Sequence, residues 1–181
     1  MKPIKDIQQA YDIEQFYFRE ARLLDDRKFQ TWMELLAPGI EYVMPNRKNA
    51  LINADKQNDE SALSIDNELG EGLEPPLRYD DMLTLSIRCN RPTSPIAWAD
   101  NPLARTRRCV SNIEPYSLTR KRYRVFSNTM MSYSRHAQDN YSYCYHREDT
   151  LEKIKGELKI AHRRIILDWN VITAPTIALI F

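Results

Sequence analysis

The side chains best equipped for chemistry here are three histidines (His136, His146, His162) and three cysteines (Cys89, Cys109, Cys144). A mononuclear non-haem iron site takes two histidines and a carboxylate. His146 and His162 with Asp149 or Asp168 would supply that set if the fold brought them to one face. A cluster of the two-Cys, two-His kind needs two Cys and two His ligands, and the sequence offers one isolated CxH, Cys144-Tyr145-His146, with no second such pair and no CxxH. Histidines on strands are more often simply hydrogen-bonded at the sheet surface. For nucleophilic catalysis there is no GxSxG. Cys144 and His146 stand two apart on one strand without a supporting signature, so packing is the simpler use of the thiol. The only GxG, Gly70-Glu71-Gly72, lies in an acidic stretch that would repel phosphate. In a hydrophobic pocket Asp12, Asp25, Asp26 or the row Tyr141, Tyr143, Tyr145 could do acid–base work. Helix capping by the aspartates and packing by the tyrosines is the simpler reading. The expectation is no catalytic, no cofactor-binding and no metal-ligating residue.

A basic cluster, Arg105, Arg107, Arg108, Arg120, Lys121, Arg122 and Arg124, has Glu114 as its one nearby acid. Basic residues interleaved with aromatics can bind single-stranded RNA. The net charge is only +1 with 28% charged residues, however, so no overall field draws the chain to nucleic acid or membrane. A subunit contact or an internal ion-pair network is the expected use. Strand alternation places Arg105 and Arg107 on one face and Arg108 on the other.

These residues need elements to position them. Residues 122–134, 141–153 and 157–168 are rich in aromatic, β-branched and long side chains, and the turn-formers HAQDN and Lys155-Gly156 separate them. Such short connections force antiparallel neighbours. Tyr141, Tyr143 and Tyr145 then line one face of the meander. Residues 104–116 read as a further strand. Upstream, Ile13, Phe16, Tyr17, Ala21 and Leu24 repeat with helical period, and a second helix carries Phe29, Trp32, Met33 and Leu36 behind Asp26 as N-cap. Pro38-Gly39 stops it, and Ile40, Tyr42 and Met44 alternate as a short strand. Pro76 opens a third helix with Tyr79, Met82, Leu83 and Ile87 on one face. The expectation is a single domain over 1–181, with helices at about 5–36, a long loop at about 46–76, a helix at about 77–89 and strands at about 104–181. The apolar tail after Asp168 should be buried against the chain's own sheet or another subunit. Helices gathered before an antiparallel sheet indicate an α+β fold, with the sheet curved around them as a cone.

At 181 residues the chain can bury a real core. No run approaches the roughly 20 apolar residues that span a bilayer, and the N-terminal stretch has no signal-like apolar run. An odd number of dispersed cysteines suits a reducing compartment. A cytoplasmic location is expected.

Several stretches together resemble the β (small) subunit of aromatic-ring-hydroxylating, Rieske non-haem iron dioxygenases, of the biphenyl, benzene and polycyclic-hydrocarbon type. IEQFYFREARLLDDRKFQTWMELLAPGIEYVMPNR (13–47) is similar to that family's FYxxEAxLLD helix, FxxWxxLL helix and MPxR strand end. WADNPLARTRRCVSNIE (98–114) and HRRIILD with the apolar Leu179-Ile180-Phe181 ending match further segments in the same order. The resemblance implies a cone of the nuclear-transport-factor-2 type with a curved antiparallel sheet. It also implies an α3β3 hexamer. The partner α subunit would carry the Rieske [2Fe–2S] cluster and the mononuclear iron, and a ferredoxin and reductase would act through α. The assembled enzyme would add O2 to an arene as a cis-dihydrodiol. Arg105, Arg107, Arg108, Trp98 and the 46–76 loop are the expected contacts with neighbouring subunits. The competing expectation is a stand-alone dehydratase, isomerase or cyclase of the same cone shape, using an Asp, His or Tyr acid–base site.

Overall fold

The computed structural model describes residues 1–49, 51, 60–69, 74–94, 101–169, 171–174 and 176–181. Helix α1 (Ile7–Asp25) starts at Asp6, whose carboxylate accepts from the Gln8 and Gln9 backbone N–H groups. It buries Ile13, Phe16, Tyr17, Glu20, Ala21 and Leu24, one helical stripe with a carboxylate in its middle. Asp26 serves as the C-cap of this helix. It was expected to cap the second helix instead. That helix, α2 (Phe29–Met33), is a short segment with no side-chain cap, and it buries Trp32. It ends early because strand β2 (Leu36–Met44) already begins at Leu36 and runs through Pro38-Gly39.

Among the described residues one sheet of seven strands organises the chain, with β1 (Lys2–Pro3), β3 (Arg78–Asp80), β4 (Arg105–Ser117), β5 (Arg122–Arg135), β6 (Asp139–Ile154) and β7 (Glu157–Leu167) joining β2 in the order β1-β4-β5-β6-β7-β2-β3. The β4–β7 meander is antiparallel, as its short connections require. The two-residue turn Lys155-Gly156 has φ of 50° and 90°, the left-handed pair that closes a tight hairpin with the right twist. The sheet is mixed, however, because β2 pairs parallel to β7. No tight turn joins those two strands, so nothing in the connection dictates their direction. A bulge at Asn112 (φ 50°) shifts the β4–β5 register by one residue and bends the sheet. The result is a cone with α1 and α2 in its concavity.

The region before α3 (Met82–Asn90) departs from expectation. Residues 78–80 extend and pair with β2, Tyr42 lying opposite Asp80. The helix starts only after Asp81, which forms a reciprocal capping box with Thr84. The strand sets Arg78 and Asp80 inward and Tyr79 outward, and α3 then buries Leu85 and Cys89. Tyr79, Leu83 and Ile87, expected with Met82 on one helical face, are 59%, 68% and 61% exposed, and Tyr79 stands on the strand rather than the helix. The expected strands to 181 also stop at Leu167. Beyond them the chain turns inward, and Ile180 and Phe181 are buried against the chain's own sheet. Phe181 packs edge-on against Tyr143 and Tyr145 at 5.4 Å from each.

Candidate functional site

The inner face of β6 follows strict alternation. Tyr143 and Tyr145 point into the cone, and so do Arg147, Asp149 and Leu151. Arg163 on β7 and Glu20 on α1 meet them there, all fully buried. Arg163 bridges both carboxylates. Its Nη1 donates to Glu20 Oε1 at 2.6 Å and its Nη2 to Glu20 Oε2 at 3.0 Å, while Nε and Nη2 donate to Asp149 at 2.9 and 2.8 Å. Arg147 Nη1 donates to Glu20 Oε2 at 3.1 Å, and Trp32 Nε1 to Glu20 Oε1 at 3.1 Å. The Tyr17 hydroxyl donates to Asp149 at 2.8 Å. Two guanidinium groups thus balance two carboxylates where an unpaired charge would be costly.

The electrostatics follow from this pairing. Burial alone would raise the Glu20 carboxyl, but Arg163 and Arg147, with the hydrogen bonds from Arg163 and Trp32, hold it down at about 2. Burial, reinforced by the Asp149 charge, pushes the Tyr17 hydroxyl well above its ordinary value. Burial opposes the charge on Arg163, yet Asp149 and Glu20 keep its guanidinium more firmly protonated than usual. A carboxylate held that low is a poor base near neutrality, and a phenol raised that far is a poor acid. The arrangement ties α1 and α2 to β6 and β7.

Two similar clasps hold the rim. Arg78 donates to Asp80 at 3.0 and 2.7 Å, and Arg88 to the other Asp80 oxygen at 2.9 Å. Asp25 accepts from the Arg108 backbone N–H at 2.8 Å and from its guanidinium, joining the end of α1 to β4. Asp25, weighed as an acid–base residue or a cap, is engaged by Arg108. The tail is pinned by the same groups. Arg78 donates to the Ile177 and Leu179 carbonyls, Arg108 to Ile180, Arg163 and Tyr42 to Phe181, and Tyr143 to Thr176.

The chemistry-bearing residues weighed from the sequence are not brought together. His146 lies on the outer face, stacked on Phe126 at 5.9 Å with Nδ1 3.1 Å from Asn128. Asp149 points to the opposite face, and Asp168 is paired with Arg47 at 2.8 Å. His162 lines a groove on the outer face, and His136 sits in the β5–β6 turn with φ 53°. Among the described residues there is no group of three or more His, Cys, Asp or Glu side chains able to hold a metal ion. Cys144 shares the outer face with His146, but burial and a hydrogen bond with Asp168 push its thiol up, opposite to what a nucleophile needs. Asp12 accepts from the Gln8 side chain at the surface. Gly70, Gly72 and Trp98 lie outside the described residues, as does much of 46–76. Within that stretch Arg47 pairs with Glu68 at 2.7 Å.

The outer surface carries the features of a contact face. Arg105 and Arg107 are exposed and Arg108 is buried, as alternation requires. Tyr116, Phe126 and His146 form an aromatic row across β4, β5 and β6, and Met130 is exposed beside it. Tyr79, Leu83 and Ile87 make a second apolar patch.

A family model described as "Ring hydroxylating beta subunit" matches residues 19–174. The benzene 1,2-dioxygenase subunit beta of Pseudomonas putida is 32% identical over 174 residues, covering 94% of this chain and 87% of the relative. A naphthalene 1,2-dioxygenase structure with indole in its active site superimposes with TM-score 0.81 at 16% identity, over 98% of this chain and 88% of that one. The benzoate 1,2-dioxygenase beta subunit of Burkholderia mallei gives 0.68 at 22% identity, over 99% and 100%.

Proposed function

The chain belongs to the β-subunit family of ring-hydroxylating dioxygenases, and on that premise we propose that it serves its enzyme as a scaffold, with no residue of its own in the catalytic steps. It is a structural β subunit of an oxygenase acting on an aromatic hydrocarbon, and it associates with an α oxygenase subunit. The proposal extends this to an α3β3 assembly in the cytoplasm that yields a cis-dihydrodiol, with residues 1–181 as one domain. In it the α subunit holds the Rieske cluster and the mononuclear iron and receives electrons from a ferredoxin and reductase.

The observation that carries the scaffold reading is the filled cone. Its buried carboxylates are held by arginines, and its own tail occupies the space beside Tyr143 and Tyr145. A stand-alone cone enzyme would need an acid–base group facing an open cavity in that interior. The Arg105 and Arg107 edge of β4 and the Tyr79, Leu83 and Ile87 patch are the proposed subunit contacts.

The test is to purify a tagged copy from its native cells and measure the intact mass and iron content of what accompanies it. Three copies with three larger iron-containing chains are expected. A colourless monomer or homodimer would overturn the proposal.

A further inference from the structure

The ring of Phe181 is fully buried in surroundings that suit an aromatic guest. Tyr143 and Tyr145 stand across it at 72° and 84°, each with its centroid 5.4 Å away. Such T-shaped pairs set the positive edge of one ring against the negative face of the other, a gain beyond the area they bury. The walls do not depend on the ring they enclose. Tyr143 is also stacked on Trp169 at 4.9 Å, meets Tyr133 at 6.2 Å and donates its hydroxyl to the Thr176 carbonyl at 2.8 Å. Tyr145 stands on β6, which is paired on both sides by β5 and β7.

The tail is held independently of the ring as well. Among the described residues, the hydrogen bonds from the cone to residues 177–181 all end on backbone. Arg78 donates to the Ile177 and Leu179 carbonyls, Arg108 to Ile180 and Arg163 to Phe181. The Tyr42 hydroxyl donates to the Phe181 carbonyl at 2.9 Å and accepts from its N–H at 2.8 Å. Loss of the ring beyond Cβ therefore leaves the strap of chain in place over rigid aromatic walls. Cores relax only partly around such a deletion, and an enclosed apolar void of one ring's size stays dry and takes a benzene-sized guest.

We propose that the inner end of the cone is a binding pocket for a single-ring arene, and that the Phe181 side chain is its resident guest, tethered by the tail. A tethered ring competes at the high effective concentration of an intramolecular ligand, so the parent chain excludes free arene. Removal of the tethered ring opens the pocket to a free one.

The test is calorimetric titration and thermal unfolding of the purified full chain, parent and Phe181→Ala, with benzene as the probe and cyclohexane as the non-aromatic control. The α partner is left out so that the oxygenase's own substrate site is absent. Phe181→Ala should bind one benzene per chain, and its melting temperature should rise by about 5–10 °C at about a hundredfold excess over Kd. The parent and Phe181→Leu, which keeps most of the volume, should bind none. Cyclohexane fills the space without an aromatic edge or face and should bind about tenfold more weakly. Should Phe181→Ala not fold in buffer, refolding with benzene replaces the titration, and folded chain should be recovered only in its presence. No saturable benzene binding by folded Phe181→Ala, equal affinity for cyclohexane, benzene uptake by the parent or Phe181→Leu, or failure of benzene to rescue an unfolded Phe181→Ala would each overturn the proposal.

Discussion

Replacing Glu20 by Gln keeps the shape of the side chain and deletes one charge from the interior. Arg147 and Arg163 then face Asp149 alone, and the cone carries an uncompensated buried cation. Removing one partner of a buried pair typically costs about 3–5 kcal/mol. The titration of Glu20 provides a second estimate. Its carboxyl moves from an ordinary 4.5 to about 2 on folding, and each tenfold step is about 1.36 kcal/mol, so the ionised form contributes about 3.4 kcal/mol. Because the folded value is depressed, this contribution is fully present above about pH 4.5 and is lost as pH falls towards 2. Urea denaturation of the purified chain measures both effects. With a slope of about 2 kcal/mol per molar urea, Glu20→Gln should lower the midpoint by about 1.5–2.5 M at pH 7. The gap between the two proteins should narrow as pH drops from 4.5 towards 2, where Glu20 in the folded chain begins to be protonated. A variant within about 0.5 kcal/mol of the parent at pH 7, the scatter of ordinary surface substitutions, would refute the reasoning. So would a gap that does not narrow in acid.

Phe181→Ala empties the space between Tyr143 and Tyr145 and should cost about 3–5 kcal/mol, read as a fall in melting temperature. Cys109 and Cys144 are exposed, whereas burial pushes the Cys89 thiol to about 11. A thiol reagent at pH 8 should therefore label Cys109 first, Cys144 more slowly, and Cys89 only after unfolding. Leu83→Asp with Ile87→Asp should leave the melting temperature of the isolated chain nearly unchanged, since both side chains point to solvent. It should reduce recovery of the α partner in co-purification, and full recovery would remove this patch from the contact surface. Arg107→Glu, at an exposed position on β4, should likewise weaken that association. Unaltered assembly would argue against the β4 edge.

The meander and α1 were legible because each follows one period with turn-formers only at its breaks. The Lys155-Gly156 turn and the inward tyrosine row needed nothing more. The buried network was missed although its signal was present. Counting by two from Tyr145 reaches Arg147 and Asp149, and the α1 stripe through Ile13, Phe16, Tyr17 and Leu24 includes Glu20. Charge suggested a solvent-facing position, and only the complementarity of three distant elements reverses that. The start of α3 was misplaced: Pro76 and the spacing of Tyr79, Met82, Leu83 and Ile87 suggested one helical face, but pairing with β2 holds residues 78–80 extended and turns Arg78 and Asp80 inward. The direction of β2 was not legible, because its partner lies more than a hundred residues later.

That last pairing has a consequence for synthesis. β7 stands between β6 and β2 in the sheet, yet it is made after both. Until it emerges, β2 with β3 has no edge to join, and Glu20 has no Arg163. A nascent chain cut short after β6 would display an unpaired strand edge and an open, aromatic-lined concavity, features that invite aggregation. Closure therefore waits for residues 157–167 and for the tail that follows them. The cone is completed as a late, long-range event, slow by the rule that non-local pairing delays folding. A truncated β subunit would be recognisable to quality control before it could be offered to a partner.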